Sequence, residues 1–107
     1  VPANPEFAAS KNVAAVVLAA QAADASKRAA LNLATSEGLL DAARDDGMTT
    51  AEFDADREKR RETLDEAFVE KVPDVAYHTG GFGVEPVAYI IAEDAPSAVE
   101  KLESLLR

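Results

Sequence analysis

Cysteine is missing altogether from this 107-residue chain, and tryptophan with it. Without thiols there is no disulfide framework, no thiolate metal site and no cysteine nucleophile, and a reducing cytoplasm is the expected compartment. Long hydrophobic runs are also missing. The longest, Val13 to Ala20, falls far short of the about 20 apolar residues a bilayer crossing takes, and nothing resembles a signal peptide. Positive charge is scarce: eleven Lys and Arg stand against twenty Asp and Glu, a net charge of −9. That balance repels nucleic acid and anionic membranes, so direct contact with either is not expected. An acid-rich, alanine-rich, lysine-poor surface suits a high-salt cytoplasm, where screening relaxes self-repulsion, and a halophilic source is the expectation. Histidine occurs once, at His78, with no neighbouring His or Cys to complete a transition-metal site. No metal and no cofactor are expected.

What is present makes one domain over residues 1–107, with a core sufficient to fold and little to spare. Val1 to Ala9 carries two prolines and no period, and reads as extended. Ser10 is a candidate N-cap for a helix from Lys11 to Ala25, with Val13, Val16, Val17, Ala20 and Ala23 or Asp24 on the 3.6-residue period. So apolar a helix has to be largely covered. Ala29 to Ala34 is an apolar strand interrupted by Asn32. Ser36 caps a helix through about Asp45, with Leu39, Leu40 and Ala43 inward and Gly47 as its stop. Met48 to Phe53 reads as a less apolar strand nearer an edge. Asp56 to Lys71 is a charged helix with Leu64, Ala67 and Phe68 inward, ended by Pro73. Val87 to Ala92 is a continuous apolar run, expected at the centre of the sheet. Ala95 and Pro96 open the last helix, with Val99, Leu102, Leu105 and Leu106 inward. Strands alternating with helices predict a layered α/β domain.

The densest segment runs from Pro73 to Pro86. It joins a short strand from Asp74 to His78, three of the chain's five glycines, the single histidine and the pair Glu85-Pro86. Glycine permits positive φ and close backbone approach, so Gly80, Gly81 and Gly83 can offer their amides as a concave anion nest. The same loop can also be an ordinary hairpin turn. His78 reads as a satisfied strand-end histidine. Glu85, fixed ahead of a proline, is placed to accept hydrogen bonds from the loop backbone or to touch a ligand. Glu52, Asp54 and Asp56 read as a solvated acidic face, since their spacing repeats no metal-ligand pattern.

The run Pro73, Asp74, Val75, Tyr77, Gly80, Gly83, Glu85, Pro86 resembles the C-terminal signature of archaeal-type thiamine-phosphate synthase domains. Further family-like pieces precede it in the family's order: Pro5-Glu6-Phe7 with Ser10, Arg28-Ala29-Ala30-Leu31-Asn32, and Glu52-Phe53-Asp54. The family occurs fused to hydroxymethylpyrimidine-phosphate kinases or to helix-turn-helix regulators. The resemblance implies a three-layer α/β/α arrangement around a mixed sheet, similar to the class II aldolase-like fold. It covers the later two thirds of the family's domain, so the fold is expected to be truncated at its N-terminus, leaving edges and apolar surface that favour a homodimer.

The resemblance also bears on chemistry. The motif after Glu-Phe ends in a histidine needed by the synthases, and here that position is Asn12. A required arginine lies upstream of the matched region, and the lysine usual before Glu-Pro is Val84. An amide neither transfers protons near neutral pH nor carries the charge of an imidazolium. No catalytic residue is therefore assigned. The implied function is a catalytically silent domain that senses thiamine phosphate or a pyrimidine precursor in a thiamine-responsive regulator. The alternative is an active synthase joining hydroxymethylpyrimidine pyrophosphate to thiazole phosphate. The residues expected to hold the phosphorylated ligand are Ser10, Asn12, Arg28, Asn32, Gly80, Gly81, Gly83 and Glu85.

Overall fold

The computed structural model describes residues 10–56, 59–81 and 85–106, with side chains from Val13 onward. In chain order they form α1 (Ser10–Ala23), β1 (Ala29–Ala34), α2 (Glu37–Asp45), β2 (Thr50–Glu52), α3 (Arg60–Ala67), β3 (Val75–His78), β4 (Val87–Ala92) and α4 (Ala95–Leu105). The strands make one mixed sheet in the order β1-β4-β3-β2. β4 lies inside it, antiparallel to β1 and β3, while β2 pairs in parallel with β3 at an edge.

β4 is buried on both faces, which is why it reads as a continuous apolar run. Tyr89 and Ile91 meet Val16, Ala19 and Ala20 of α1, with Leu64 of α3 and Phe68 just beyond it. Ala88 and Ile90 point the other way, towards Leu40 and Ala43 of α2 and Leu105 of α4. The two helix pairs thus cover opposite faces, giving the α/β/α layering. None of the described helices is long and apolar enough to cross a membrane.

Local chemistry sets most boundaries. The Ser36 hydroxyl accepts the Leu39 amide hydrogen bond at the start of α2, and Gly47, at φ +81°, turns the chain out of it. α1 ends at Ala23 and not Ala25, because the Asp24 carboxylate accepts bonds from the Ser26 amide and hydroxyl and closes a turn. Ser10 stands inside that helix as its first residue, not ahead of it.

Three further expectations are corrected. α3 spans only Arg60–Ala67, starting later than Asp56 and stopping well short of Pro73. The chain leaves the helix at Phe68, whose ring goes into the core while the next residue, Val69, is 79% exposed. β2 is confined to Thr50–Glu52, since the Met48 amide is still closing α2 by donating to the Ala43 carbonyl. In α4 the inner stripe is Ala98, Leu102 and Leu105, and Val99 and Leu106 are exposed. Asp94 caps α4 by accepting from the Ser97 amide. On α1, Leu18 remains 58% exposed, so that helix is covered on its sheet side only.

Candidate functional site

The parallel register of β2 with β3 brings Glu52 and Tyr77 level, so the chain exits both strands at one end of the sheet. Parallel strand ends leave a crevice where the following segments diverge. Here a cleft of about 600 Å³ opens between those exits and α3. Its floor is Phe53 and His78, and its walls include Glu52, Asp54, Thr63 and Glu66.

Each wall is fixed from below. Thr63 is the joint between α3 and the β2 exit. Its hydroxyl donates back to the helix carbonyls of Lys59 and Arg60 and accepts the Asp54 amide hydrogen bond at 2.9 Å. The Asp54 carboxylate then accepts from the Asp56 amide, turning the chain towards α3. Arg60 donates to the Ala55 carbonyl across the same turn.

His78 is 3% exposed. Its ring meets Phe53 edge to face at 5.3 Å, and Phe53 in turn lies 6.0 Å from Tyr89. Nδ1 accepts a hydrogen bond from the Gly80 amide at 3.1 Å. An accepting Nδ1 carries no proton, so the neutral ring bears its proton on Nε2. Burial, reinforced by the nearby Arg60 charge and only partly opposed by Asp54, holds the imidazole below its usual pKa. Burial likewise raises the Tyr89 phenol, against the pull of Arg60.

The structure brings only part of the expected ligand set here. Gly80 lies at the cleft with φ +83°, but its amide is engaged by His78 and so does not complete an anion nest. Gly81 follows it, with open space where a side chain would stand. Glu85 is exposed and forms no hydrogen bond with Gly80 or Gly81. Asn32 is half-buried on β1, level with Tyr89 across the ladder. Arg28 is exposed at the opposite end of the sheet: its amide donates to the Ala92 carbonyl, whereas His78 is level with Val87. Ala92 is five residues beyond Val87 along β4, roughly 17 Å at about 3.4 Å per residue. Arg28 sits instead near Asp94, adding to the lowering of that carboxyl by its Ser97 bonds. Ser10 and Asn12 lie in α1, their side chains outside the described residues, as is Gly83. Among the described residues no group of three His, Cys, Asp or Glu is placed to hold a metal.

The cleft adds residues that were not singled out in the sequence. Thr63 and Glu66 are such residues, and Glu52, Phe53 and Asp54, which make one of the family-like pieces, line it beside them, so that Glu52 and Asp54 border a cleft as well as solvent. Glu66 lies three residues after Thr63, one helical turn along the same side of α3, a spacing visible in the sequence once the cleft is known.

Comparison with known proteins agrees with this architecture. The chain is 30% identical to thiamine-phosphate synthase ThiN of Methanothermobacter thermautotrophicus, over 97% of this chain and 61% of that protein. It is 31% identical to the bifunctional thiamine biosynthesis protein ThiDN of Methanocaldococcus jannaschii, over 92% of this chain and 25% of that one. The chain therefore spans less than two thirds of either relative. Among solved structures, the C-terminal domain of protein MJ0236 superposes with a TM-score of 0.77 at 27% identity, over 88% of this chain and 55% of that one. The C-terminal domain of a phosphomethylpyrimidine kinase shares the fold, with a TM-score of 0.68 at 22% identity, over 86% and 59% of the two chains. Residues 1–104 match the family described as thiamine-phosphate synthase ThiN, and the chain belongs to that family.

Proposed function

We propose that this domain binds a phosphorylated thiamine-pathway compound, thiamine phosphate or a pyrimidine precursor, at the cleft and releases it unchanged, serving as the sensing part of a thiamine-responsive regulator. The observation that carries this reading is the state of His78. The cleft's imidazole is buried against Phe53, its Nδ1 is occupied by the Gly80 amide, and its environment keeps it neutral. Such a ring orients a ligand but neither takes up a proton at Nδ1 nor offers positive charge to a departing pyrophosphate. Asn12, where the family's synthases carry a histidine, and Val84, in place of a lysine, point the same way.

A second reading, an active synthase joining hydroxymethylpyrimidine pyrophosphate to thiazole phosphate, is favoured by the relatives, which are named as a synthase and a bifunctional biosynthetic protein. Calorimetric titration in high salt with thiamine phosphate, then with both synthase substrates under a product assay, separates the two. Saturable binding without product supports the sensor. Product formation establishes the synthase, and absence of binding by all three compounds overturns both readings.

A further inference from the structure

β1 borders the sheet on the side away from the cleft, and among the described residues it pairs with β4 alone. Edge strands commonly guard their unpaired backbone with charge, proline or a bulge. β2, at the other edge, is three residues long and ends in Glu52. β1 reads Ala-Ala-Leu-Asn-Leu-Ala over six residues, with no ionisable residue and no proline. The ladder decides which groups it presents. The Ile91 amide donates to the Asp74 carbonyl, so the odd residues of β4 bond to β3 and the even ones to β1. Thr35 donates to the Pro86 carbonyl in keeping with this, and Leu31 and Leu33 stand level with Ile90 and Ala88. The N–H and C=O groups of Ala30, Asn32 and Ala34 therefore point out of the sheet. The Asn32 carboxamide is half-buried and has no hydrogen-bond partner among the described residues.

We infer that two copies of this chain join along β1, antiparallel about a two-fold axis through Asn32, so that their sheets become continuous. Centred there, Asn32 exchanges backbone bonds with Asn32 of the second copy, and Ala30 exchanges them with Ala34 of the second copy, which uses all three outward residues. Centred on Leu31 instead, the pairing would call on the Arg28 amide, which is already given to the Ala92 carbonyl. The side chains suit the same register. Each carboxamide has a donor and an acceptor, so the two Asn32 side chains satisfy each other, as an isologous contact requires. Ala30 and Ala34 meet on the α1 face without bulk, and Leu31 meets Leu33 of the second copy on the face of α2 and α4. Charge fits as well. Arg28, just before β1, comes level with Ser36 of the second copy and beside its Glu37, and the axis repeats this pair at the other end. Each chain carries a net charge of −9, so contact between acidic surfaces is opposed, while this edge is neutral with opposite charges at its two ends. The inference is independent of the proposed function, because the cleft lies beyond β3 within one copy.

Sedimentation equilibrium of the whole domain should give a dimer. No cysteine occurs in the chain, so a single introduced thiol reports the register. Opposite residues of a hydrogen-bonded pair have Cα atoms about 5.5 Å apart, within disulfide reach. Asn32→Cys should therefore form a disulfide-linked dimer on mild oxidation, and Glu100→Cys, on the exposed face of α4, should not. Glu37→Arg should weaken dimerisation about tenfold or more by setting like charges together, and adding Arg28→Glu should restore it, with circular dichroism confirming that each variant is folded. A monomer at all concentrations overturns the inference, and protected Ala30, Asn32 and Ala34 amides in that monomer would show the edge covered by its own chain. A dimer in which Asn32→Cys links no faster than Glu100→Cys, or in which the paired charge reversal fails to restore association, overturns it too, since the copies then meet elsewhere. In each case ligand titration at the cleft is unaffected.

Discussion

Thr49 and Asp74 hold each other reciprocally: the Thr49 amide donates to Asp74 Oδ2 at 3.0 Å, and the Asp74 amide donates to Thr49 Oγ1 at 3.0 Å. The pair ties the start of β2 to the start of β3, at the end of the sheet away from the cleft. Lys101 of α4 adds a bond to Asp74 Oδ1 at 2.8 Å and caps the Ile91 carbonyl. Asp74→Ala removes these acceptors, and a loss of about 1–3 kcal/mol is expected in denaturant unfolding.

The same cluster sets an acid limit. Burial raises the Asp74 pKa, but the Lys101 and Thr49 hydrogen bonds and the Lys101 charge outweigh it, leaving the carboxyl below its ordinary 3.8. A carboxyl depressed by folding contributes stability that is complete above the unfolded value and is lost as pH falls through the folded one. The midpoint of unfolding should therefore drop on acidification below about pH 4, and Asp74→Asn should drop less steeply over that range.

His78 gives the complementary dependence. Its depressed pKa means that the unfolded chain binds a proton more readily than the fold does. Stability from this group is present above the ordinary 6.5 and is lost as pH falls below it. Titration of the ring by nuclear magnetic resonance should give a midpoint under 6.5, and the melting temperature of the wild type should fall between about pH 7 and pH 5. In His78→Gln, an uncharged replacement, that slope should flatten.

Thr63→Val tests whether the cleft wall depends on its joint. The change keeps the shape of the side chain but removes the acceptor of the Asp54 amide. A destabilisation of roughly 1–3 kcal/mol is expected, together with weaker ligand binding. Unchanged affinity in a variant that has lost stability would show that the Asp54 turn does not position the ligand.

Leu64→Ala acts one residue further on through packing alone. Leu64 is fully buried between α1 and the sheet, and its truncation should cost about 2–5 kcal/mol, read from the denaturant midpoint.

Much of the fold could be read locally. β4 announced itself because a strand covered on both faces has no polar side to show, and α2 because Ser36 and Gly47 carry their capping chemistry in their side chains and backbone freedom. Asp94 carries the same cap chemistry ahead of Ala95-Pro96. The end of α3 was not legible, since Phe68 leaves the helix to fill a core assembled from α1 and β4. The site was less visible than the fold. Arg28 and Asn32 are neighbours in sequence, yet β1 runs from the far end of the sheet towards the cleft and carries them apart. The engagement of Gly80 by a histidine two residues earlier has a local spacing, but its use of the amide depends on how burial orients the ring.

The cleft leans on the least continuous part of the sheet. β2 contributes three residues and, among the described residues, pairs with β3 alone, whereas β1 and β4 share a six-residue ladder. Unzipping β2 breaks few backbone bonds, so that corner should exchange its amide hydrogens through local openings that leave the β1–β4 ladder closed. A ligand spanning the exits of β2 and β3 acts as a stitch across that seam. Its grip is then recorded as slowed hydrogen exchange at Thr50–Glu52 while the rate at the centre of β4 stays where it was.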